Sequence, residues 1–570
     1  MRGSPSHLWL MAVAVVLAAC GPAAQQTVNP APAAESQGQS RTLTIAARYE
    51  PPSLATKSLR QTAGGIRSTT RLFNAELDLL DDRQTPRPYL AEALPQLGSD
   101  SWRVEPDGRM ETRYWLKPGL TWHDGVGVSA EDFVFAWAVY ATPAFGVSGS
   151  RPLSLMEEIS APDERTVVIR WRQPYPDAGV LADGFQPLPR HILEEPFRRQ
   201  DADSFVNLPH WSSEYVGLGP YRLERWEPGA FIEGAAFAGH VLGRPKIDRI
   251  VVRIFADENV VLTNLLSENV QAAAGRSLRF EHGTVLKREW GVSGKGTVLF
   301  SPGNTRHTNA QTRADVAEPR AILDLRVRKA LVHAIDKQAL NDGLFDGEGL
   351  MADAFLNREI LYLQNIEQVF AEIDRAIAKY PYDLRRTEQL MNEAGFTRGR
   401  DGFYANAAGE RFSMEAWGDS GPQLEKELAI MAETWNRAGI EARSYLLPAA
   451  QLRDLQKRSS FPAVYSTSSK TLEELSSATI PTAGNRWTGR NLGGWSNAEY
   501  DRLWDAFNST LDSAERIQRV VEMVKLASQE LPAWGLYYNP SVAAHLAVLQ
   551  GPNTADSGTD VWNVHEWELR

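Results

Sequence analysis

The sequence predicts an α/β protein built from two or more lobes. Its 570 residues exceed what one hydrophobic core usually serves, so the chain is expected to divide. Short runs of alternating apolar residues, which are typical of strands, recur between longer runs with a helical period. Three such strands are predicted at 166–171, 249–255 and 297–300. Because strands and helices alternate over this length, mixed α/β lobes are the expected architecture.

The composition is that of a globular protein with an acidic surface. Hydrophobic residues make up 43% of the chain and charged residues 23%, and the formal net charge is −11. A negative surface without a basic stripe argues against nucleic acid as a partner. Cys20 is the only cysteine. No disulfide is therefore expected in the folded part, and any metal site would have to use histidines and carboxylates.

The first 40 residues are predicted to be an export signal followed by a tether. Residues 8–20, LWLMAVAVVLAAC, are apolar but shorter than the about 20 residues that a membrane-spanning helix needs. They have the length of a signal-peptide core and end in small residues. LAAC resembles the bacterial lipobox, which predicts a signal peptide at 1–19 and lipidation of Cys20; an ordinary secretory signal is the alternative. Residues 20–40 are rich in Ala, Pro, Gln and Ser, which predicts a flexible tether.

Capping residues mark the predicted helices. An acidic or hydroxyl side chain before an apolar helical stripe can accept a hydrogen bond from a free backbone N–H of the first turn. The second of two central helices is expected to end near Gly343. The predicted N-caps and capping pairs are Ser129 with Asp132, Asp324, Asp336, Asp383, and Ser496 with Glu499.

No constellation of catalytic residues is found in the sequence. HExxH, GxSxG and Walker A motifs are absent, and no two of the ten histidines have helical metal-binding spacing. His123 and Asp124 are expected to shape a turn by hydrogen bonding. The chain is therefore predicted not to be an enzyme and to use no cofactor or metal. An exported hydrolase of peptides or glycans, with a carboxylate pair formed by the fold, is the alternative.

Two of the 17 tryptophans are candidates for a ligand cleft. Most tryptophans are packing residues. Trp417 precedes GDSG and Trp487 follows GNR, and such glycine-containing polar segments are typical of binding loops. These two tryptophans, with the neighbouring Asp419 and Arg486, are therefore predicted to lie at the cleft.

Six segments match, in order, the pattern of one known family. They are DGRMETRYWLKPGLTWHDGVGVSAEDFVFAW at 107–137, GLGPYRLERWEPG at 217–229, residues 257–273, DLRVRKAL with AIDK within 324–337, residues 383–395, and WSNAEYD at 495–501. Together they resemble the family 5 extracellular solute-binding proteins, which are the dipeptide, oligopeptide and nickel receptors of ABC importers. The matches run from about residue 41 to residue 540 and are specific in combination.

The resemblance implies an α/β fold with two lobes, that of a type II periplasmic binding protein of the large peptide-receptor subclass. The first lobe would be 41–302 with an inserted subdomain near 60–186, the second 303–535, with a return to the first at 536–570. The implied function is capture of an extracytoplasmic solute, a peptide, and its delivery to ABC permease subunits and their ATPases. The protein would act as a monomer in the periplasm or at the cell surface, anchored to a membrane through lipidated Cys20.

The resemblance also leaves the ligand's amine without its usual partner. Peptide receptors of this family hold the α-ammonium with an aspartate in a loop after a strand, and the corresponding stretch here is AVYSTSSKT at 463–471. It contains hydroxyls and a lysine but no aspartate, and the following Glu473 and Glu474 are expected to begin the next helix. Asp419 is a possible substitute. Because a buried ammonium needs a paired anion, the sequence predicts weak discrimination between free and N-acetylated peptides, or a ligand that is not a peptide.

The predicted ligand-binding set combines these segments with the loop that follows the first strand. Its members are Tyr49, Glu50, Trp417, Asp419, Tyr465, Ser466, Thr467, Arg486 and Trp487.

Overall fold

The computed structural model describes residues 41–59, 66–147, 149, 151–182, 184–199, 201–357, 366–468, 471–556 and 558–570. The predicted signal peptide, the tether and Cys20 lie outside these residues, as does the lysine at position 470. No helix in the described part of the chain has the length and apolar character needed to cross a membrane.

The strands include two long ones that each belong to both lobes. The strands are β1 (Thr42–Ala47), β2 (Asp78–Leu80), β3 (Pro86–Pro88), β4 (Trp102–Val104), β5 (Met110–Trp115), β6 (Met156–Asp163), β7 (Thr166–Trp171), β8 (Tyr221–Glu227), β9 (Phe231–Ala236), β10 (Arg249–Ile254), β11 (Ala272–Ala273), β12 (Gly296–Ala310), β13 (Leu350–Met351), β14 (Phe396–Arg398), β15 (Tyr404–Asn406), β16 (Ser413–Asp419), β17 (Glu441–Leu447), β18 (Val464–Ser468), β19 (Ala533–Leu546), β20 (Leu549–Gln550) and β21 (Glu568–Leu569).

The α-helices alternate with these strands, as the sequence pattern predicts. They are α1 (Arg67–Arg71), α2 (Ala130–Ala141), α3 (Arg190–Arg198), α4 (Ala202–Val206), α5 (Glu258–Leu266), α6 (Phe280–Ser293), α7 (Leu325–His333), α8 (Lys337–Phe345), α9 (Ile366–Ala376), α10 (Leu384–Glu393), α11 (Pro422–Arg437), α12 (Leu455–Ser459), α13 (Ala498–Ser509) and α14 (Ser513–Glu530).

One sheet runs through both lobes. Among the described residues it has 11 strands in the order β17-β16-β18-β12-β19-β11-β1-β10-β9-β8, with β13 paired to β19. The antiparallel pair β12 and β19 crosses between the lobes. One end of this pair lies beside β11 in the first lobe, and the other end lies beside β18 in the second. The two-lobed α/β architecture predicted above is confirmed.

The crossing strands are interrupted where they pass between the lobes. Pro302 pairs with Pro540, and the register then shifts before Thr305 pairs with Tyr538. Proline has no backbone N–H, so neither residue of the first pair donates a hydrogen bond to the other strand. We call Pro302–Thr305 and Tyr538–Pro540 the hinge.

The first lobe and a subdomain inserted into it share one hydrophobic core. The subdomain contains a four-stranded sheet, β4-β5-β7-β6, against which α2 packs. Its fully buried Tyr114 and Phe133 belong to the same cluster as Leu43 and Ile45 of β1. The predicted capping box of α2 is confirmed, because the Asp132 carboxylate accepts a hydrogen bond from the Ser129 backbone N–H at 2.9 Å.

The glycine-rich segment 217–221 lies directly on another stretch of backbone. The Gly219 N–H donates to the Phe73 carbonyl at 3.0 Å, and a Cβ on Gly219 would lie 2.3 Å from the Asn74 nitrogen. His123 joins the same contact: its Nε2 lies 3.0 Å from the Gly219 carbonyl and its Nδ1 accepts from the Gly217 N–H at 3.2 Å. Burial lowers the pKa of His123 to about 4, so it is neutral at pH 7. This agrees with the structural role predicted for His123.

The second lobe confirms most predicted helix starts and corrects two boundaries. Asp324 accepts a hydrogen bond from the Arg326 N–H and Asp336 from the Ala339 N–H, as N-caps do. The helix after Asp336 ends at Phe345 rather than near Gly343, because Asp346 adopts the left-handed conformation that closes it.

The N-cap of α13 is Asn497, not Ser496. The Asn497 side chain accepts hydrogen bonds from the backbone N–H groups of Glu499 and Tyr500, so the helix starts one residue later than predicted. The predicted Ser496–Glu499 capping box is therefore wrong. Asparagine is as effective an N-cap as serine, and sequence alone does not rank two adjacent capping residues.

Candidate functional site

The parallel strands of the second lobe point their carboxyl ends at the hinge. β16 is parallel to both β17 and β18, and β18 is antiparallel to β12 with Ser468 opposite Arg306. Arg306 directly follows the hinge, so β16, β17 and β18 all end beside it. Ligands of open α/β sheets bind outside the carboxyl ends of the strands.

The parallel strands of the first lobe end at the hinge as well. β1 is parallel to β10 and β11, and Ala273 of β11 lies opposite Ala544 of β19, on the hinge side of the preceding pair. The carboxyl ends in both lobes therefore face the hinge. The segments that follow these strands are the natural walls of an interlobe cleft.

Tyr49 and Glu50 follow β1, as predicted, but Glu50 is engaged by its own lobe. Its carboxylate accepts hydrogen bonds from Trp226 Nε1 at 2.7 Å and from the Gly229 N–H at 3.0 Å. Glu50 thereby links the end of β1 to the β8–β9 hairpin through hydrogen bonds. Tyr49 is half-buried, with the guanidinium carbon of Arg48 5.3 Å from its ring centroid.

Trp417 lies inside β16 rather than in a loop. Only 4% of its surface is exposed, its ring packs on that of Tyr445 at a centroid distance of 4.4 Å, and its Nε1 donates to Glu415 at 2.8 Å. The glycine and aspartate that follow Trp417 complete the strand instead of opening a loop. The loop expected directly after Trp417 therefore begins only after Asp419.

Asp419, at the end of β16, is also engaged. Its carboxylate accepts a hydrogen bond from the hydroxyl of Tyr465, and Arg458 Nε donates to the same hydroxyl at 3.2 Å. Burial, reinforced by the charge of Asp419, raises the pKa of Tyr465 above its usual value. Tyr465 therefore stays protonated and donates to Asp419.

The remaining predicted residues lie in two places, on β18 and in a separate turn. Ser466 is 1% exposed and its hydroxyl lies 2.9 Å from that of Thr308, whereas Thr467 is half-buried. Arg486 is exposed and Trp487 half-buried in a turn where both have positive φ, 53° and 62°. The structure thus groups Trp417, Asp419, Tyr465, Ser466 and Thr467 at the ends of β16 and β18, and Arg486 and Trp487 follow in a separate turn.

A cavity of about 330 Å³ lies between the inserted subdomain and the second lobe. None of the nine predicted residues lines it. Its first-lobe wall includes Arg67, Arg151, Tyr175 and Asp177, and its second-lobe wall includes Leu356, Thr471, Glu473, Trp504 and Arg516. Thr471 and Glu473 come shortly after β18, so the cavity adjoins the strand ends that the topology favours. Ligand pockets commonly have volumes of about 300–1,000 Å³.

The cavity walls carry charges of both signs. Asp177 and Arg516 form an ion pair across the gap, with Nη2 and Oδ2 2.8 Å apart. Glu473 begins a 3₁₀ turn and is exposed, and within the described residues its carboxylate makes no hydrogen bond or ion pair. Arg151 donates to the side-chain carbonyl of Asn508. Glu473 is thus the carboxylate on this wall with capacity for a ligand's positive group.

Sequence reasoning missed these residues for a physical reason. Arg67 and Arg151 lie in the first lobe and Trp504 and Arg516 in the second, and only the tertiary fold brings the two pairs together. Glu473 had a local signal, since it follows the strand that the resemblance places at the ligand. In the part of the chain that is described, no three His, Cys, Asp or Glu side chains lie close enough to hold a metal ion.

Comparison with known proteins gives the same two-lobed fold. The chain is similar to the oligopeptide-binding protein AppA of Bacillus subtilis, with 20% identity over 98% of this chain and 97% of the relative. A Thermus thermophilus oligopeptide-binding protein, solved with a pentapeptide, superposes with a TM-score of 0.69 at 21% identity, covering 93% of this chain and 96% of that one. NikZ of Campylobacter jejuni, solved with Ni(L-His), gives a TM-score of 0.70 at 21% identity, covering 92% and 99%.

A family profile matches more than half of the chain. Residues 92–482 match the profile described as bacterial extracellular solute-binding proteins, family 5. This span includes most of the inserted subdomain, the crossing strand β12 and most of the second lobe. The chain belongs to the family 5 bacterial extracellular solute-binding proteins.

Proposed function

We propose that this protein captures a peptide in the cleft between its lobes and delivers it to ABC permease subunits and their ATPases, without chemical change. The observation that carries the proposal is the cavity between the lobes, with a carboxylate available on one wall and arginines on the other. The names of two relatives, oligopeptide-binding proteins from Bacillus subtilis and Thermus thermophilus, support a peptide as the solute.

The competing function is a hydrolase that uses the same cavity. The cavity disfavours this function because one of its carboxylates, that of Asp177, is already paired with Arg516. Acid–base cleavage by paired carboxylates needs two groups that can hold and release protons. The carboxylate of Asp177 is held in a bidentate manner by Arg516, so it is not free to act with a second carboxylate. Glu473 then has no free carboxylate partner on the described cavity wall.

We further propose that Glu473 accepts the ammonium of the peptide. Asp419, the substitute considered from the sequence, is engaged by Tyr465 and does not line the cavity. An ammonium transferred from water into a closed cavity requires an anion. Glu473 is the residue of the second lobe that supplies one.

Changing Glu473 to Gln should weaken binding of a peptide with a free amine by about 10- to 100-fold, since a hydrogen bond to a charged group contributes about 1.5–3 kcal/mol. The probe is tri-alanine, titrated by calorimetry alongside its N-acetylated form. This proposal replaces the weak discrimination expected from segment 463–471, because Glu473 supplies the anion that the segment lacks. The acetylated form should therefore bind weakly to the wild type and should lose little more in the variant. Asp419→Asn is the matched control and should leave the affinity for the free amine unchanged.

Two results would contradict these proposals separately. A loss of about 10- to 100-fold in Asp419→Asn, with none in Glu473→Gln, would assign the amine to Asp419. The proposal that the protein binds a peptide would still stand. Native mass spectrometry of protein purified without refolding provides the second check. A co-purified solute other than a peptide, together with no binding heat when short peptides are titrated, would overturn the proposal that the solute is a peptide. Consumption of the probe by the protein would support the hydrolase.

We propose the domain division expected from the resemblance. Residues 41–302 would form the first lobe with a subdomain near 60–186, residues 303–535 the second lobe, and 536–570 the return. The shared core of the subdomain and β1 supports placing both in one lobe. We also propose a monomer that is held at a membrane, in the periplasm or on the cell surface, by a lipid on Cys20.

Replacing Cys20 with Ala should release the protein from the membrane fraction, because the lipid attached to this cysteine is its proposed anchor. Cell fractionation followed by immunoblotting measures the distribution. Ser36→Ala, in the same tether, is the control and should leave the protein with the membranes. A Cys20→Ala protein that stays membrane-bound and is processed as before would disprove the anchor.

A further inference from the structure

The α13–α14 hairpin of the second lobe touches the inserted subdomain through a buried ion pair. Arg516, in the first turns of α14, donates two hydrogen bonds to the carboxylate of Asp177. The two side chains are only 9% and 14% exposed. The ring centroid of Phe507, on α13, lies 4.4 Å from the guanidinium carbon. The two hydrogen bonds join the planar guanidinium of Arg516 and the planar carboxylate of Asp177 in a bidentate arrangement, which is the strongest geometry available to such a pair.

Two further contacts join the same surfaces. Arg151 of the subdomain donates a hydrogen bond to the side-chain carbonyl of Asn508 on α13. Leu511, in the turn between the two helices, packs against the core cluster of the first lobe. Asp177 is next to Ala178, a member of that cluster. An ionic, a polar and an apolar contact thus converge at the rim of the cavity, and each joins the two lobes.

We propose that this contact is a latch that holds the lobes closed. The ion pair is made entirely by protein groups, one from each lobe, and can form only when the hairpin meets the subdomain. When the lobes part, both charges return to water and the pair loses its dry surroundings. The latch is therefore bistable: the pair is either buried and bidentate or hydrated and separate.

Because the latch consists of protein groups alone, part of the free energy that favours the closed form does not come from the solute. A solute that binds the closed form gains apparent affinity in proportion to the fraction of protein that can close. Weakening the latch should thus lower the apparent affinity for every solute by a similar factor. Glu473, by contrast, should affect only solutes with a positive group.

Hydrogen exchange on the full-length protein, followed by mass spectrometry, tests the latch without any solute. Asp177→Asn leaves the Arg516 guanidinium buried without its counterion, so the hairpin should move away from the subdomain. We expect at least tenfold faster exchange in peptides that cover 174–182 and 507–516, with β1 and β10 unchanged. Glu433→Gln is the matched control; it breaks an ion pair with Arg437 within α11 and should leave both segments as in the wild type.

A second variant separates opening from unfolding. The double variant Asp177→Asn/Arg516→Gln removes both charges, so no uncompensated charge remains in the interface. Faster exchange confined to the two segments in this variant supports the latch, even if Asp177→Asn alone exchanges faster throughout. Wild-type exchange in both segments of the double variant would overturn it. Because no solute is used, this result is independent of whether the ligand is a peptide.

Discussion

Replacing Glu427 with glutamine should lower the free energy of unfolding by about 3–5 kcal/mol, because breaking a buried ion pair strands the remaining charge. Glu427, on α11, accepts hydrogen bonds from Arg306 Nε at 2.9 Å and Nη2 at 2.7 Å. The Arg306 and Glu427 side chains are 3% and 0% exposed. The hydroxyl of Tyr537, on β19, donates to the same carboxylate. One carboxylate thus joins both crossing strands to α11 directly beside the hinge.

The stranded guanidinium cannot escape the penalty by losing its proton. Burial lowers the pKa of Arg306, but the charge of Glu427 and its hydrogen bonds outweigh burial and hold the pKa above its usual value. Without the carboxylate, arginine still keeps its charge at any ordinary pH. The uncompensated charge must therefore be hydrated, and that requires opening of the second-lobe core.

Urea denaturation followed by tryptophan fluorescence measures this effect. Glu433→Gln is the control, since Glu433 lies on the same helix and forms an exposed pair that contributes less than about 1 kcal/mol. Removing both charges, in Arg306→Gln/Glu427→Gln, should recover part of the loss because neither charge is then stranded. A Glu427→Gln protein with the midpoint and slope of the wild type would refute the argument.

Gly219→Ala should destabilise the first lobe by at least about 3 kcal/mol, the upper range for overpacked interiors. A Cβ on Gly219 would lie 2.3 Å from the Asn74 nitrogen and 2.3 Å from the Phe73 carbonyl carbon. Both are backbone atoms, so no side-chain rotation relieves the clash. The added methyl must separate segment 217–221 from the chain after α1 and break the Gly219–Phe73 hydrogen bond.

Thermal unfolding of the purified variant, monitored by circular dichroism, is the measurement. Gly127→Ala is the matched control in the same lobe, because no heavy atom lies within 4 Å of its added Cβ and its φ is not positive. We expect the control to unfold within a few degrees of the wild type. Equal melting temperatures for Gly219→Ala and Gly127→Ala would show that the backbone contact relaxes without loss.

The features predicted correctly from sequence are those encoded within a few residues. The Asp324 and Asp336 caps follow from one side chain and the backbone two or three residues later. The α2 capping box is equally local. The Ser496–Glu499 capping box is equally local but wrong, because the adjacent Asn497 is an equally good N-cap and is the residue that caps α13.

The cleft depends on contacts that span hundreds of residues. Glycine and aspartate after Trp417 predict a loop there, but pairing of β16 with β17 extends the strand through Asp419. Arg306 and Glu427 are 121 residues apart, and Asp177 and Arg516 are 339 apart. Sequence periodicity carries no information about such pairs.

The facing prolines of the hinge put the place where the lobes turn apart from the place where their closed form is stabilised. Pro302 and Pro540 give each other no backbone hydrogen bond, and each has its own φ fixed, so rotation falls on Gly303, Asn304 and Asn539. Bending there breaks no ladder bond at this pair, which keeps the activation barrier low and favours domain motion on the microsecond-to-millisecond scale. The population of each state is set far from this point, by contacts at the rim. Substitutions at the rim can therefore retune the equilibrium over evolutionary time without changing the strands about which the lobes turn.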